Sequence, residues 1–89
     1  MSYKLVGKKI LTGDNMNKFV IFYIDNCPFS YNALQYLDKK PHKAYKVKNK
    51  TKFFADISKL GLIPDSHRTF PVIFYNKKFV GGYSDLLLF

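Results

Sequence analysis

A single cysteine, Cys27, stands where an apolar, β-branched and aromatic run, Phe19-Val20-Ile21-Phe22-Tyr23-Ile24, gives way to Asp25-Asn26-Cys27-Pro28-Phe29-Ser30. The run predicts a strand from Lys18 to Ile24. Pro28 suits the first position of a helix, where its missing N–H costs nothing and its φ is already helical. Cys27 is therefore expected at a helix N-terminus. Unpaired backbone N–H groups and the positive end of the helix dipole favour a thiolate there, and the thiolate is the nucleophile of thiol–disulfide exchange. With one cysteine in the chain, an internal disulfide is excluded, so any redox cycle needs a second thiol from outside.

Other residues with chemical potential have plainer readings when taken alone. Asp85 reads as a helix cap, Gly81-Gly82 as a turn, and Arg68 as a solvated cation. His42 and His67 lie far apart in sequence and join only one cysteine, too few ligands for a closed mononuclear zinc site.

The elements that must hold Cys27 follow from the apolar pattern. After Pro28, Phe29, Ala33, Leu34, Tyr36 and Leu37 recur at helical spacing, and the pattern stops at Lys39-Lys40-Pro41. Tyr31, Tyr36 and the phenylalanines of both helices are expected in the core. Ala44 to Lys48 alternates apolar with basic residues, as an edge strand with one wet face does. A second helix is predicted from about Thr51 to Leu60, with Phe53, Phe54, Ile57 and Leu60 buried and Gly61 as its C′ residue. A loop through Pro64 leads to a strand at Pro71 to Tyr75, a two-residue link at Asn76-Lys77, and a last strand at Lys78 to Val80. Gly81-Gly82 ends that strand, and a helix of about one turn begins at Asp85. The order β-α-β-α-β-β-(α) predicts an α/β sandwich of parallel strands linked by helices, closed by an antiparallel hairpin. Residues 1–17 are set apart as an N-terminal extension with a turn cluster at Gly13-Asp14-Asn15.

Eighty-nine residues fit one domain with a small core, to which nine Phe and seven Tyr residues contribute large apolar surfaces. Fifteen basic against six acidic residues give a formal charge of +9. The lysines are scattered in ones and twos rather than in a block, so most of the charge reads as a solvated surface. The densest stretch, Lys39 to Lys52, can steer anionic partners. Nucleic-acid binding is disfavoured, because the aromatics that would stack on bases lie in core-forming runs. No apolar run approaches the roughly 18 residues that span a bilayer, and residues 1–17 lack a signal-peptide core. The chain reads as soluble, in a reducing compartment such as the cytoplasm. Heavy use of Lys, Asn, Ile, Phe and Tyr suggests an AT-rich source, viral or parasitic.

Three segments occur in order: Cys27-Pro28-Phe29-Ser30 after the first strand, Arg68-Thr69-Phe70-Pro71 before the third, and Gly81-Gly82-Tyr83-Ser84-Asp85 after the fourth. Together they resemble the signature segments of the glutaredoxins, over residues 18–89. The resemblance implies a thioredoxin-like domain: a four-stranded mixed sheet with flanking helices and a shortened last helix. It implies a glutathione-dependent oxidoreductase in which Cys27 attacks the glutathione sulfur of a protein–glutathione mixed disulfide, and a second glutathione restores the thiolate. Ser30 stands where dithiol members carry a resolving cysteine, so this chain resembles the monothiol variants. Pro28, Phe29 and Ser30 support the nucleophile. Pro71 matches a cis-proline facing the cysteine, and the backbone of Phe70 would pair with glutathione like an added strand. Phe70 replaces a smaller valine, which narrows the expected groove. Gly82, Ser84 and Asp85 would hold the γ-glutamyl end, with Asp85 taking its ammonium. The family's lysine three residues before the cysteine is replaced by Ile24, and Arg68 or Lys52 is the expected substitute for glutathione's glycine carboxylate.

Two other functions fit the same residues. One is a glutathione-ligated [2Fe-2S] carrier, in which two copies each supply Cys27 and two glutathiones complete the four thiolates. Against it, Pro28 stands in place of the glycine of the dedicated carrier subtype. The other is a thioredoxin-like binding module without turnover. The expected partners are glutathione and glutathionylated proteins or disulfides, with no membrane, and the chain is expected as a monomer or weak dimer.

Overall fold

The computed structural model describes residues 18–76 and 78–89; the opening segment and Lys77 of the hairpin link lie outside the described residues. The elements are β1 (Phe19–Tyr23), α1 (Pro28–Leu37), β2 (His42–Lys46), α2 (Lys50–Lys59), β3 (Val72–Tyr75), β4 (Lys78–Gly81) and α3 (Tyr83–Leu88). They form one four-stranded mixed sheet in the order β2-β1-β3-β4.

β1 occupies an inner position and organises the rest. It pairs in parallel with β2 from Phe19↔His42 to Tyr23↔Lys46, and antiparallel with β3 from Phe19↔Tyr75 to Phe22↔Val72. The period of two along β1 sends Val20 and Phe22 to one face and Phe19, Ile21 and Tyr23 to the other. On the first face Phe53, Phe54 and Ile57 of α2 close over Val20, Phe22, Val72 and Phe74, and the Phe22 and Phe53 rings lie 5.1 Å apart. On the second face Ala33 and Leu37 of α1 and Leu86 of α3 cover Ile21 and Ile73. The continuous apolar run of β1 thus reflects burial on both faces.

Several expectations shift. β3 is antiparallel to β1, not a third parallel strand, because the connection over 60–71 returns the chain to the Cys27 end of the sheet before β3 begins. β2 starts at His42 and not at Ala44: Phe19 N–H donates to the Pro41 carbonyl at 3.0 Å, so pairing with β1 begins directly after the proline. α2 starts one residue earlier than expected, since the Asn49 side chain caps it by accepting the Lys52 N–H at 3.0 Å. α3 likewise begins at Tyr83, two residues before Asp85.

The clearest departure is on α1. Its buried stripe is Ser30, Ala33 and Leu37, while Phe29, Tyr31 and Tyr36 are exposed at 59%, 62% and 41%. The helix is phased by the polar Ser30, not by its aromatics. The phenylalanines of α2, by contrast, are core as expected.

Among the described residues, two glycines have the positive-φ backbone that a side chain resists. Gly61 (φ +67) ends α2 as the expected C′ residue, and Gly81 (φ +129) ends β4. At Gly81 an added Cβ would also run into the Asp85 carboxylate, whereas at Gly82 it would meet its nearest neighbours at 3.7 Å, ordinary contact. Gly81→Ala should therefore lower unfolding stability by about 1–3 kcal/mol, and Gly82→Ala by less than about 1 kcal/mol, in urea titrations. Equal losses at the two positions would contradict this account of the turn.

Candidate active site

The strand-to-helix corner is built by local chemistry. After β1, Asn26 takes the left-handed conformation (φ 58), which Asn tolerates better than most residues. Cys27 follows as the N-cap of α1 with extended backbone (φ −119, ψ 111), its carbonyl accepting the Tyr31 N–H at 3.0 Å, and Pro28 fills the first helical position. The sulfur is partly exposed at this corner.

The thiol donates toward the Phe70 carbonyl, with Sγ 3.9 Å from the oxygen. When the proton leaves, the anion is met by groups of the helix start. Burial pushes the Cys27 thiol up, but the Ser30 N–H, the Ser30 hydroxyl and the Phe29 N–H, followed by the positive charge of Lys50, outweigh it and bring the pKa below the ordinary thiol value. Ser30 is 1% exposed, and its Oγ also accepts the Ile24 N–H at 3.4 Å. One hydroxyl therefore ties the end of β1 to the first turn of α1 directly beneath the sulfur.

Opposite the sulfur lies the Phe70–Pro71 bond, which is cis, with Pro71 buried at the start of β3. The Phe70 ring packs against Phe53 and Phe54 at centroid distances of 5.5 and 5.2 Å, so its bulk over valine goes largely into the core and not into the groove. The groove of about 360 Å3 beside it is lined by Phe29, Thr69 and Phe70 on one side and Gly82, Ser84 and Asp85 on the other, with His67 and Tyr83. Three segments distant in sequence are thus brought together at one place. The Asp85 Oδ2 accepts the Gly82 N–H at 3.0 Å, which fixes the carboxylate at the rim.

Arg68 and Lys52 are otherwise engaged. The Arg68 guanidinium lies 5.6 Å from the centroid of the Phe54 ring and its Nη1 donates to Ser58 Oγ at 3.0 Å, while Lys52 pairs with Asp56 at 3.0 Å. The cation that acts on Cys27 is Lys50, from the first turn of α2, which lines a second cleft with Ile24, Asp25, Lys46, Val47 and Lys48. Its signal in the sequence was the lysine-dense stretch, but a lysine among six others gives no hint of which one approaches the sulfur. Asp25 there pairs with Lys46 at 2.7 Å and holds that ammonium more firmly protonated. His67 is the other residue the motifs did not single out. Its ring stands edge-on to Phe79 at 5.0 Å, and its buried Nε2 has no hydrogen-bond partner among the described residues.

A third cleft opens on the other flank of Cys27, floored by Tyr23, Ile24, Pro28, Tyr31 and Leu34. Among the described residues, no group of three or more His, Cys, Asp and Glu side chains converges, and no helix is long and apolar enough to cross a membrane.

A mixed sheet with helices on both faces, a cysteine of lowered pKa capping the first helix and a cis-proline opposite it define a thioredoxin-like domain. Comparison with known proteins narrows the class. The glutaredoxin family model matches residues 19–80. A probable glutaredoxin of Acanthamoeba polyphaga mimivirus is 35% identical over 97% of this chain and 91% of its own length. Glutaredoxin-1 of variola virus is 42% identical over 80% of this chain and 69% of its own length. The dithiolic glutaredoxin 2-C-Grx1 of Trypanosoma brucei brucei superposes with a TM-score of 0.72 at 25% identity, covering 97% of this chain and 84% of that one. Glutaredoxin 1 of Francisella tularensis, at 21% identity and a TM-score of 0.72, shares the fold over 80% of this chain and 88% of its own. The chain belongs to the glutaredoxin family, and its viral relatives are consistent with a viral source. The family supports a thiol–disulfide oxidoreductase.

The electrostatics of the corner give a direct test. The rate of alkylation by iodoacetamide against pH should have its midpoint below the free-thiol value of about 8.5. Ser30→Ala removes the hydroxyl and should move the midpoint up; Lys50→Gln should move it up by less. An unchanged midpoint in Ser30→Ala would show that the hydroxyl does not stabilise the thiolate.

Proposed function

We propose that this protein reduces protein–glutathione mixed disulfides by a monothiol cycle through Cys27. The observation that carries the reading is the position of the Cys27 sulfur: its pKa is lowered, and it lies 3.9 Å from the carbonyl of Phe70, a residue that also lines the groove with Asp85. The Cys27 thiolate attacks the glutathione sulfur, a bond forms between these two sulfurs, and the target protein departs as a thiolate that takes a proton from water. The thiolate of a second glutathione then attacks the glutathione sulfur held on Cys27. Glutathione disulfide leaves and the Cys27 thiolate returns. The net exchange consumes one glutathione thiol and yields one protein thiol.

In this reading the backbone at Phe70 and Pro71 pairs with glutathione's peptide, and Gly82, Ser84 and Asp85 receive its γ-glutamyl end. The Asp85 carboxylate suits the ammonium there. Lys50, facing the space left by Ile24, takes the glycine carboxylate, a role for which Arg68 and Lys52 are less suited because Ser58 and Asp56 hold them. Ser30 supports the thiolate without forming a disulfide. Residues 18–89 form the working domain, with residues 1–17 as an extension to it.

Turnover of a small glutathione mixed disulfide, coupled to glutathione reductase, should vanish in Cys27→Ser and persist in Ser30→Ala. Asp85→Asn keeps a cap for α3 but loses the charge, and should raise the KM for glutathione by about tenfold, the equivalent of about 1.4 kcal/mol. An active Cys27→Ser protein would overturn the monothiol cycle.

A further inference from the structure

The cleft on the other flank of Cys27 has no part in holding glutathione in the cycle above. It is lined by Tyr23, Ile24, Pro28, Tyr31 and Leu34 with Cys27 at its end, and it shares no residue with the groove closed by Asp85. Tyr31 is 62% exposed on the first turn of α1, above a floor to which half-buried Tyr23 and Leu34 contribute. An exposed tyrosine over an apolar floor offers large contact area with little loss of side-chain freedom.

We propose that this cleft receives the protein arm of the mixed disulfide and favours a modified cysteine that has an apolar neighbour within an acidic stretch. The inference rests on the monothiol reading and adds the substrate class to it. A mixed disulfide carries two arms on adjacent sulfurs. With glutathione laid along Phe70 toward Asp85, the departing arm needs a separate surface that also opens onto Cys27, and this cleft supplies one. An apolar side chain next to the modified cysteine fills it.

Charge sets the second requirement. The neighbouring cleft shares Ile24 and Asp25 with this one and adds Lys46, Lys48 and Lys50. Asp25 is paired with Lys46 and Lys50 faces glutathione's glycine carboxylate, so Lys48 leaves the balance of charge on this flank positive, as is that of the whole chain at +9. Acidic residues around the modified cysteine are drawn in, and basic ones are repelled. The covalent step is unchanged: the sulfur–sulfur bond to glutathione breaks, and the peptide leaves as a thiolate that is protonated by water.

The test uses the full chain and three substrates: the disulfide of cysteine with glutathione, which has no peptide arm, and two glutathionylated peptides flanked by Asp and Leu or by Lys and Ser. The acidic, apolar peptide should be turned over with a kcat/KM about tenfold above that of the basic one, and the advantage should shrink as salt is raised. Tyr31→Ser should reduce turnover of that peptide about three- to tenfold, while the cysteine–glutathione disulfide changes by less than about twofold. Equal turnover of the two peptides, or preference for the basic one, with normal turnover of the small disulfide overturns the cleft assignment and leaves the monothiol cycle standing. No turnover of the small disulfide overturns both.

Discussion

The approach of the Cys27 sulfur to the Phe70 carbonyl, 3.9 Å across a separation of 43 residues, is the contact on which the site depends. It exists because both segments adjoin the same end of the sheet. Cys27 follows the C-terminus of β1, and Phe70 precedes β3, which runs antiparallel to β1 and so begins where β1 ends. Parallel pairing of β1 with β2 brings Lys50 to that end as well, at the start of α2. The hairpin from β3 to β4 returns the chain there a third time, and α3 starts beside the groove. Sheet topology alone therefore gathers Cys27, groove wall and charged rim.

Packing then fixes the details. The Phe70 ring, wedged against Phe53 and Phe54, anchors the segment whose backbone faces the sulfur, so the two-faced core and the groove share a residue. Gly81 allows β4 to end with φ +129 against the Asp85 carboxylate, which in turn accepts the Gly82 N–H. A side chain at Gly81 would disturb turn, cap and rim together. Ser30 has the corresponding role on the other side: it is buried at the cost of desolvating a hydroxyl, a cost offset by its bonds to the Ile24 N–H and to the sulfur.

Much of this was readable in the sequence because the signals were local. The apolar run of β1, Pro28 after Cys27, and Gly61 past α2 each act within a few residues, and each element formed close to its expected place. Each of the three family segments contributes to one groove: Phe29 from the first, Thr69 and Phe70 from the second, and Gly82 to Asp85 from the third. What escaped had a tertiary cause. The helical spacing of Phe29 and Tyr36 suggested a buried face, but the direction in which α1 leaves the Cys27 corner turns Ser30 inward and those aromatics outward. Arg68 reaches Ser58 and Phe54 only because of how the 60–71 connection lies on α2, whereas the Lys52–Asp56 pair is a local i,i+4 contact within that helix. Lys50 was hidden among equivalent lysines, and His67 carried no motif. The outward-turned Tyr31, misassigned to the core, is the residue that gives the second cleft its rim.

The central claim is that Cys27 is a glutathione-accepting nucleophile beside a groove that receives that peptide. The most direct measurement is the intact mass of the reduced protein after incubation with glutathione disulfide, before and after adding excess glutathione. A single glutathione adduct, absent in Cys27→Ser and removed by the added thiol, is the result this account predicts. A protein that stays unmodified under conditions where a free thiol exchanges would contradict it, and would leave the fold and its three segments without the chemistry assigned to them.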